Sequence, residues 1–200
     1  MSILKLFSSK SPIQERQVIQ IAIDQQLTCL RSLSPNRLRF EIEYALEKGT
    51  SANSFLFKEN PRNSQFNYFL IHPPGKTFEK EFIKTLNSDI KNKSSHINII
   101  MGHINPNRVG LIKKIAENYK NLTVYCSNPG AKLFEEIWMQ RKPSSAKNEI
   151  NTVDFPNIYI VKKEQTIKLD NGYQLKLIPV ATARWPGGLI VFEEQLGLLM

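Results

Sequence analysis

The most restrictive feature of the sequence is an alternation of two periods between residues 67 and 127. NYFLI (67 to 71), INIIM (97 to 101) and LTVYCS (122 to 127) are short apolar runs of strand length. Between the first two, Phe78, Phe82, Ile83, Leu86 and Ile90 recur at the spacing of a helix with one buried face. Residues 107 to 119 have the same helical character. So does the stretch from about Gly130 to Arg141, with Leu133, Phe134 and Ile137 inward and Trp138 packed beside them. Strands separated by helices need crossover connections, so this segment predicts βαβ units and a locally parallel sheet. The fold class is therefore layered α/β.

The flanks read as β. Val18 to Ile23 suits a strand, and FEIEY (40 to 44) alternates Phe40, Ile42 and Tyr44 against two glutamates. Gly49 to Asn53 then reads as a turn into SFLF, giving a hairpin, and residues 59 to 65 as a polar turn before NYFLI, which ends at HPPG (72 to 75). After a polar surface loop at 142 to 154 come IYIV, TIKL, a DNG turn at 170 to 172, YQLKLIPV, LIVF and LGLL. The order β, then βαβα, then β suits two mixed sheets packed together with helices outside.

With 200 residues, 41% of them hydrophobic and 22% charged, the chain is read as one soluble domain. No apolar run approaches the roughly 20 residues of a membrane-spanning helix, and MSILKLFSSKS lacks a secretory core and cleavage site. A cytoplasmic protein is expected. Cys29 and Cys126 lack the close spacing of a redox pair or zinc knuckle and are expected to be buried and reduced. The net charge of +9 is spread over Lys76, Lys80 and Lys84, Lys113 and Lys114, and Lys162 and Lys163. No basic stripe interleaves with aromatics as single-strand binders require. These lysines read first as a solvated face, then as a surface for an acidic partner; nucleic acid comes third and is not expected.

The loop MGHINPNRVG (101 to 110) lies between a strand and a helix, where α/β proteins hold ligands. A metal site needs several His, Asp or Glu side chains to offset the charge of the ion and fill its shell. Here only His103 is a good ligand. Asn105 and Asn107 offer neutral carbonyl oxygens, and Arg108 carries a permanent positive charge. The residues fit a helix start equally well, because asparagine is a favoured N-cap and Pro106 suits the first helical position. Asn128 and Pro129 repeat the device. ATARWPGG (181 to 188) is a second candidate, with Arg184 and Trp185 between two β runs; as structure alone it is a bent connection. HPPG is not a phosphate-binding loop, and no G-x-S-x-G is present.

LRSLSPNRLRFEIEYALEKGTSANSFLF, HPPGKTFEKEF, GHINPNR, VYCSNPGA and ARWPGG, in this order from about Leu30 to Met200, resemble the N-terminal metallo-β-lactamase-like module of the flavodiiron proteins of oxygenic phototrophs. The resemblance implies a four-layer αββα sandwich, incomplete at its C-terminus. It places an N-terminal extension and first strand at 1–29 and the module at 30–200, without the flavodoxin-like and flavin-reductase-like modules of the family. In the family a loop reading H-x-E-x-D-H supplies ligands to a di-iron centre. Laid on this chain, His103 is the one retained metal-ligand position, while Asn105, Asn107 and Arg108 stand for the Glu, the Asp and the following His. Arg184 stands for the His of a later His-Trp-Pro-Asp, and Gly187 for its Asp.

GHINPNR is closest to a subgroup with degenerate ligands. The resemblance then implies a former metal-site pocket of Asn105, Asn107, Arg108 and Arg184. In it the guanidinium of Arg184, with Arg108, fills the space of the metals, held by the Asn105 and Asn107 carbonyls; a variant has the cationic pocket take a small anion. No catalytic residue is assigned. The implied function is that of a module in an oxidoreductase passing electrons from NAD(P)H or ferredoxin through FMN to oxygen, giving water, in photosynthetic electron transport. Alternatives are a non-catalytic partner subunit of an intact flavodiiron protein and, third, a metallo-β-lactamase-like hydrolase. FMN and di-iron are the cofactors of the family, neither expected on these 200 residues. The expected partner is a flavodiiron protein with intact ligands, in a homo- or hetero-oligomer.

Overall fold

The computed structural model describes residues 15–37, 48–59, 66–140, 153–180 and 187–200. Seven strands form a large sheet in the order of the chain: β1 (Gln17–Ala22), β2 (Leu27–Ser34), β3 (Thr50–Lys58), β4 (Asn67–Ile71), β5 (His96–Ile100), β6 (Leu122–Ser127) and β7 (Asn157–Val161). β1 to β4 are antiparallel neighbours, and β4 to β7 are parallel. Three crossovers make the parallel half: a 3-10 turn (Lys76–Phe78) running into α1 (Glu79–Asp89), then α2 (Pro106–Asn118), then α3 (Asn128–Met139). This is the βαβ alternation of the central segment, with every strand and helix within two or three residues of its expected place.

A smaller sheet of four strands has the order β11 (Leu198–Leu199), β10 (Gly188–Glu193), β9 (Gln174–Val180), β8 (Gln165–Lys168). All of its pairings are antiparallel, so only one of the two sheets is mixed as expected. The reason is connection length: β8 and β9 are joined through the DNG turn, where Gly172 takes φ +97°, and such short links reverse the chain.

The side-chain alternation of the central strands creates two cores. Tyr68 and Leu70, with Ile97, Ile99 and Val124, meet Phe82 and Leu86 of α1, Ile112 and Ile115 of α2 and Phe134 of α3. Phe69, Ile71 and Ile100 face the other way and meet Leu175, Leu177, Leu189 and Val191 of the small sheet. Each fully buried side chain of this size contributes roughly 1.5–3 kcal/mol of transfer free energy. Trp138 is buried and stacks on Phe134 at 5.5 Å between centroids, and both cysteines are buried and free. The layers are thus helices, large sheet, small sheet; among the described residues no helix covers the outer face of the small sheet.

Two departures concern the N-terminal strands. The turn expected at 49 to 53 is shorter: Gly49, at φ +74°, does the turning, and Thr50 to Asn53 already pair with β2. β2 itself was not anticipated, because LTCLRSLS mixes apolar, small and charged residues without clean alternation. It is held by pairing along its whole length with β3 and from Thr28 to Leu33 with β1. β1 is therefore an edge strand of the same sheet, and a boundary at 29/30 runs through β2. FEIEY (40 to 44) lies outside the described residues.

Because β4, β5 and β6 are parallel, their C-terminal ends come out on one side. HPPG follows β4, Met101 to Asn105 follows β5, and Ser127 closes β6 at the start of α3. Ligands of open α/β sheets gather at such ends.

Candidate functional site

Asn105 has an extended backbone, and its Oδ1 accepts the backbone N–H of Arg108 at 2.8 Å, with Pro106 opening α2. The capped helix start is therefore formed as the sequence suggests. At α3 the device differs from expectation: the cap is Ser127, whose Oγ accepts from Gly130 N at 3.3 Å, and Asn128 is already helical. A serine hydroxyl one residue earlier leaves Pro129 at the second helical position, where its missing N–H costs nothing.

GHINPNR meets HPPG. The Arg108 guanidinium donates from Nη1 to the Pro73 carbonyl at 2.7 Å. Arg108 is half-buried, and burial holds its pKa below the ordinary arginine value. The Asn107 amide lies against Gly75, so close that a Cβ on Gly75 would sit 2.1 Å from Asn107 Nδ2. His103 is half-buried at the start of the loop.

His72 ties this corner together. Its backbone N–H donates to Ile100 O at 2.9 Å, its carbonyl accepts from Ser54 Oγ at 2.9 Å, and its Nδ1 accepts the Gly102 N–H at 3.0 Å. Burial pushes the imidazole down to about 4; backbone hydrogen bonds at Met200 and Ile100 oppose the shift, and the Arg108 charge adds to it. The ring is neutral at pH 7, and since Nδ1 is an acceptor its proton is on Nε2. His72 has φ 52°, the one described non-glycine residue with positive φ. Gly102 leaves room for the ring: a Cβ there would lie 2.4 Å from His72 Cε1 and 2.4 Å from Leu189 O. Leu189 N in turn donates to Gly102 O at 3.3 Å, joining the small sheet to the loop after β5.

The structure thus gathers His103, Asn105, Asn107 and Arg108 at one end of the sheet. The Asn105 carbonyl oxygen serves the helix cap, and a backbone carbonyl, Pro73 O, receives Arg108. Arg184 and Trp185 lie outside the described residues. Gly187, the described end of that stretch, has φ +84° and packs on the start of α3, where its added Cβ would be 2.6 Å from Gly130 Cα. The sequence reading missed His72 and Pro73. The available signal was a histidine and two prolines at the C-terminal end of a buried strand.

No family model matches the chain. It is 35% identical over 190 residues to diflavin flavoprotein A 6 of Nostoc sp., covering 94% of this chain and 30% of the relative. A metal-soaked flavodiiron core from Synechocystis sp. superposes with TM-score 0.75 at 30% identity, over 91% of this chain and 41% of that one. A 1–254 fragment of diflavin flavoprotein A 5 from Nostoc sp. gives 0.74 at 31% identity, over 91% and 64%.

The chain belongs to the flavodiiron family. What it shares with these proteins is their metallo-β-lactamase-like fold, and it spans under a third of the length of the Nostoc relative.

The family name implies a di-iron centre, and the residues of this flavodiiron module can be tested against one. Two irons need several anionic or imidazole donors converging on one point. Among the described residues no three of His, Cys, Asp and Glu group in that way. At the loop itself His103 stands beside two amides, one of them engaged in the helix cap, and beside the Arg108 cation. These residues do not fit a di-iron centre.

Proposed function

We propose that the chain is a flavodiiron module with a degraded di-iron site, working in an oxidoreductase system that passes electrons from NAD(P)H or ferredoxin through FMN to oxygen, giving water, in photosynthetic electron transport. In that system it acts beside a flavodiiron protein whose ligands are intact, and keeps the fold while the partner carries the metal chemistry. The former metal pocket consists of Asn105, Asn107, Arg108 and Arg184, with His103 as the retained ligand position. The observation that carries the reading is the seat of Arg108: this cation ends the loop to which the resemblance assigns iron ligands, and its guanidinium bonds to Pro73 O in the loop after β4. A permanent cation there repels a metal ion, and a neutral amide cannot bridge two of them.

The test is iron analysis of the purified protein, reconstituted with ferrous iron and desalted. Iron well below one per chain is expected; close to two per chain overturns the reading. The accompanying measurement is oxygen uptake with NADPH or reduced ferredoxin, for the chain joined to its FMN-binding modules, alone and with an intact flavodiiron partner. Uptake is expected only with the partner.

A further inference from the structure

His72 adopts a left-handed backbone that residues with a Cβ rarely take, and such strain persists only where the surroundings impose it. Here the surroundings are specific. β5 holds the His72 N–H through Ile100 O, β3 holds its carbonyl through Ser54, and Gly102 offers its N–H to Nδ1. Two of these bonds fix the direction in which the chain leaves β4. That direction decides where the next carbonyl, Pro73 O, points. The third bond fixes the first residue of the loop that leads through Asn105 into α2, and so decides where Arg108 starts. Arg108 and its acceptor are therefore both placed by one residue.

We infer that His72 is a positioning residue that seats the Arg108 guanidinium: its ring anchors the loop carrying Arg108, and its strained backbone presents Pro73 O to receive it. This rests on the reading that Arg108 occupies the former metal pocket. Two other features agree with it. The cradle at Gly102 has no space for a Cβ while the ring is in place, and the Asn107 amide covers Gly75 at the far end of the same four-residue turn. HPPG and GHINPNR thus form one unit, in which the histidine does for the arginine what a second ligand loop does for a metal.

The test compares His72→Asn, His72→Ala and His72→Gly with the unaltered protein. The readouts are amide hydrogen exchange at Gly102 and the guanidinium resonances of Arg108. Asparagine tolerates positive φ and its Oδ1 can accept the Gly102 N–H, so it should preserve both signals. Alanine keeps the strain without the acceptor, and glycine relieves the strain without the acceptor. Both should expose Gly102 to exchange about tenfold faster, the effect of losing one hydrogen bond, and release the Arg108 signals to those of a solvated side chain. If His72→Ala does not fold, the glycine variant carries the comparison. In the unaltered protein nitrogen-15 spectra should show the His72 proton on Nε2; a proton on Nδ1 overturns the inference. Unchanged Gly102 exchange in the glycine variant of a metal-free protein overturns the positioning role alone. Two bound irons per chain in the unaltered protein overturn it together with the reading of the pocket.

Discussion

Arg108 Nη1 and Pro73 O are joined by a 2.7 Å hydrogen bond across 35 residues of sequence, linking the first turn of α2 to the loop after β4. The guanidinium is weakly hydrated and planar, which suits it to a half-buried site where an ammonium would lose more hydration. Arg108→Lys should therefore destabilise the protein by about 1–2 kcal/mol, since a charge-assisted hydrogen bond is weakened and a more strongly hydrated cation takes its place. Urea unfolding should show a lower midpoint with an unchanged slope. A lysine variant as stable as the original would mean that the Pro73 contact contributes nothing.

The Asn105 side chain reaches only as far as Arg108 N, three residues on. Asn105→Ala should cost about 1 kcal/mol through loss of the cap. Asn105→Asp should keep the bond and gain from the helix dipole, whereas Asn105→Glu, longer and a poor cap, should fall with alanine. The comparison bears on the proposed function, because the resemblance to flavodiiron proteins implies a glutamate turned toward iron at this position. One side chain cannot both close the helix end and reach for a metal. Equal stability of the alanine and aspartate variants would remove the cap from the account.

Much of the architecture was legible because it rests on periodicity. NYFLI and HINII are buried on both faces and so read as near-continuous apolar runs, LTVYCS alternates buried Leu122, Val124 and Cys126 with half-buried Thr123 and Tyr125, and α1 declares itself through Phe82 and Leu86. β2 was not legible: Arg31 and Ser32 interrupt its pattern, and it is held by hydrogen bonding from β1 and β3 on either side, which sequence spacing does not encode. At the site, the helix cap could be read from GHINPNR directly. The partner of Arg108 could not, since Pro73 O is a backbone atom brought close by the parallel pairing of β4 with β5. The same limit hid His72, whose importance lies in a backbone angle and in the empty space at Gly102.

Two glycine contacts should be intolerant of a methyl group, to different degrees. Gly187→Ala combines positive φ with a Cβ 2.6 Å from Gly130 Cα and 2.7 Å from Gly130 N, both backbone atoms. It should cost above ~2 kcal/mol, or displace the end of the ATARWPGG stretch from α3. Gly130→Ala meets Ser127 Oγ at 3.2 Å and Gly187 O at 3.3 Å, contacts that small shifts relieve. Its cost should be well under that of Gly187→Ala, and a thermal melt of the two variants orders them. The reverse order would show that the two backbones do not meet as described.

The last prediction concerns pH. The His72 imidazole is pushed to about 4 in the folded protein, first by burial and then by the Arg108 charge, while an unfolded histidine titrates near ~6.5. Between these values the unfolded chain binds a proton that the folded one refuses, so stability rises with pH. The contribution is complete above ~6.5 and is lost progressively as the pH falls toward about 4. His96 is also lowered by burial and the carboxylates titrate in the same range, so the effect is isolated by difference. The stability of the unaltered protein minus that of His72→Asn should decline steadily from pH 6.5 to 4 and be flat between 7 and 8, measured by urea unfolding at each pH. Protonation of the folded ring takes the Nδ1 acceptor from Gly102, so the Gly102 amide should keep its exchange protection while the stability difference declines and lose it only as the pH falls through about 4. A difference that is level throughout would mean that the ring titrates as it does in water and is not enclosed between Gly102 and Arg108.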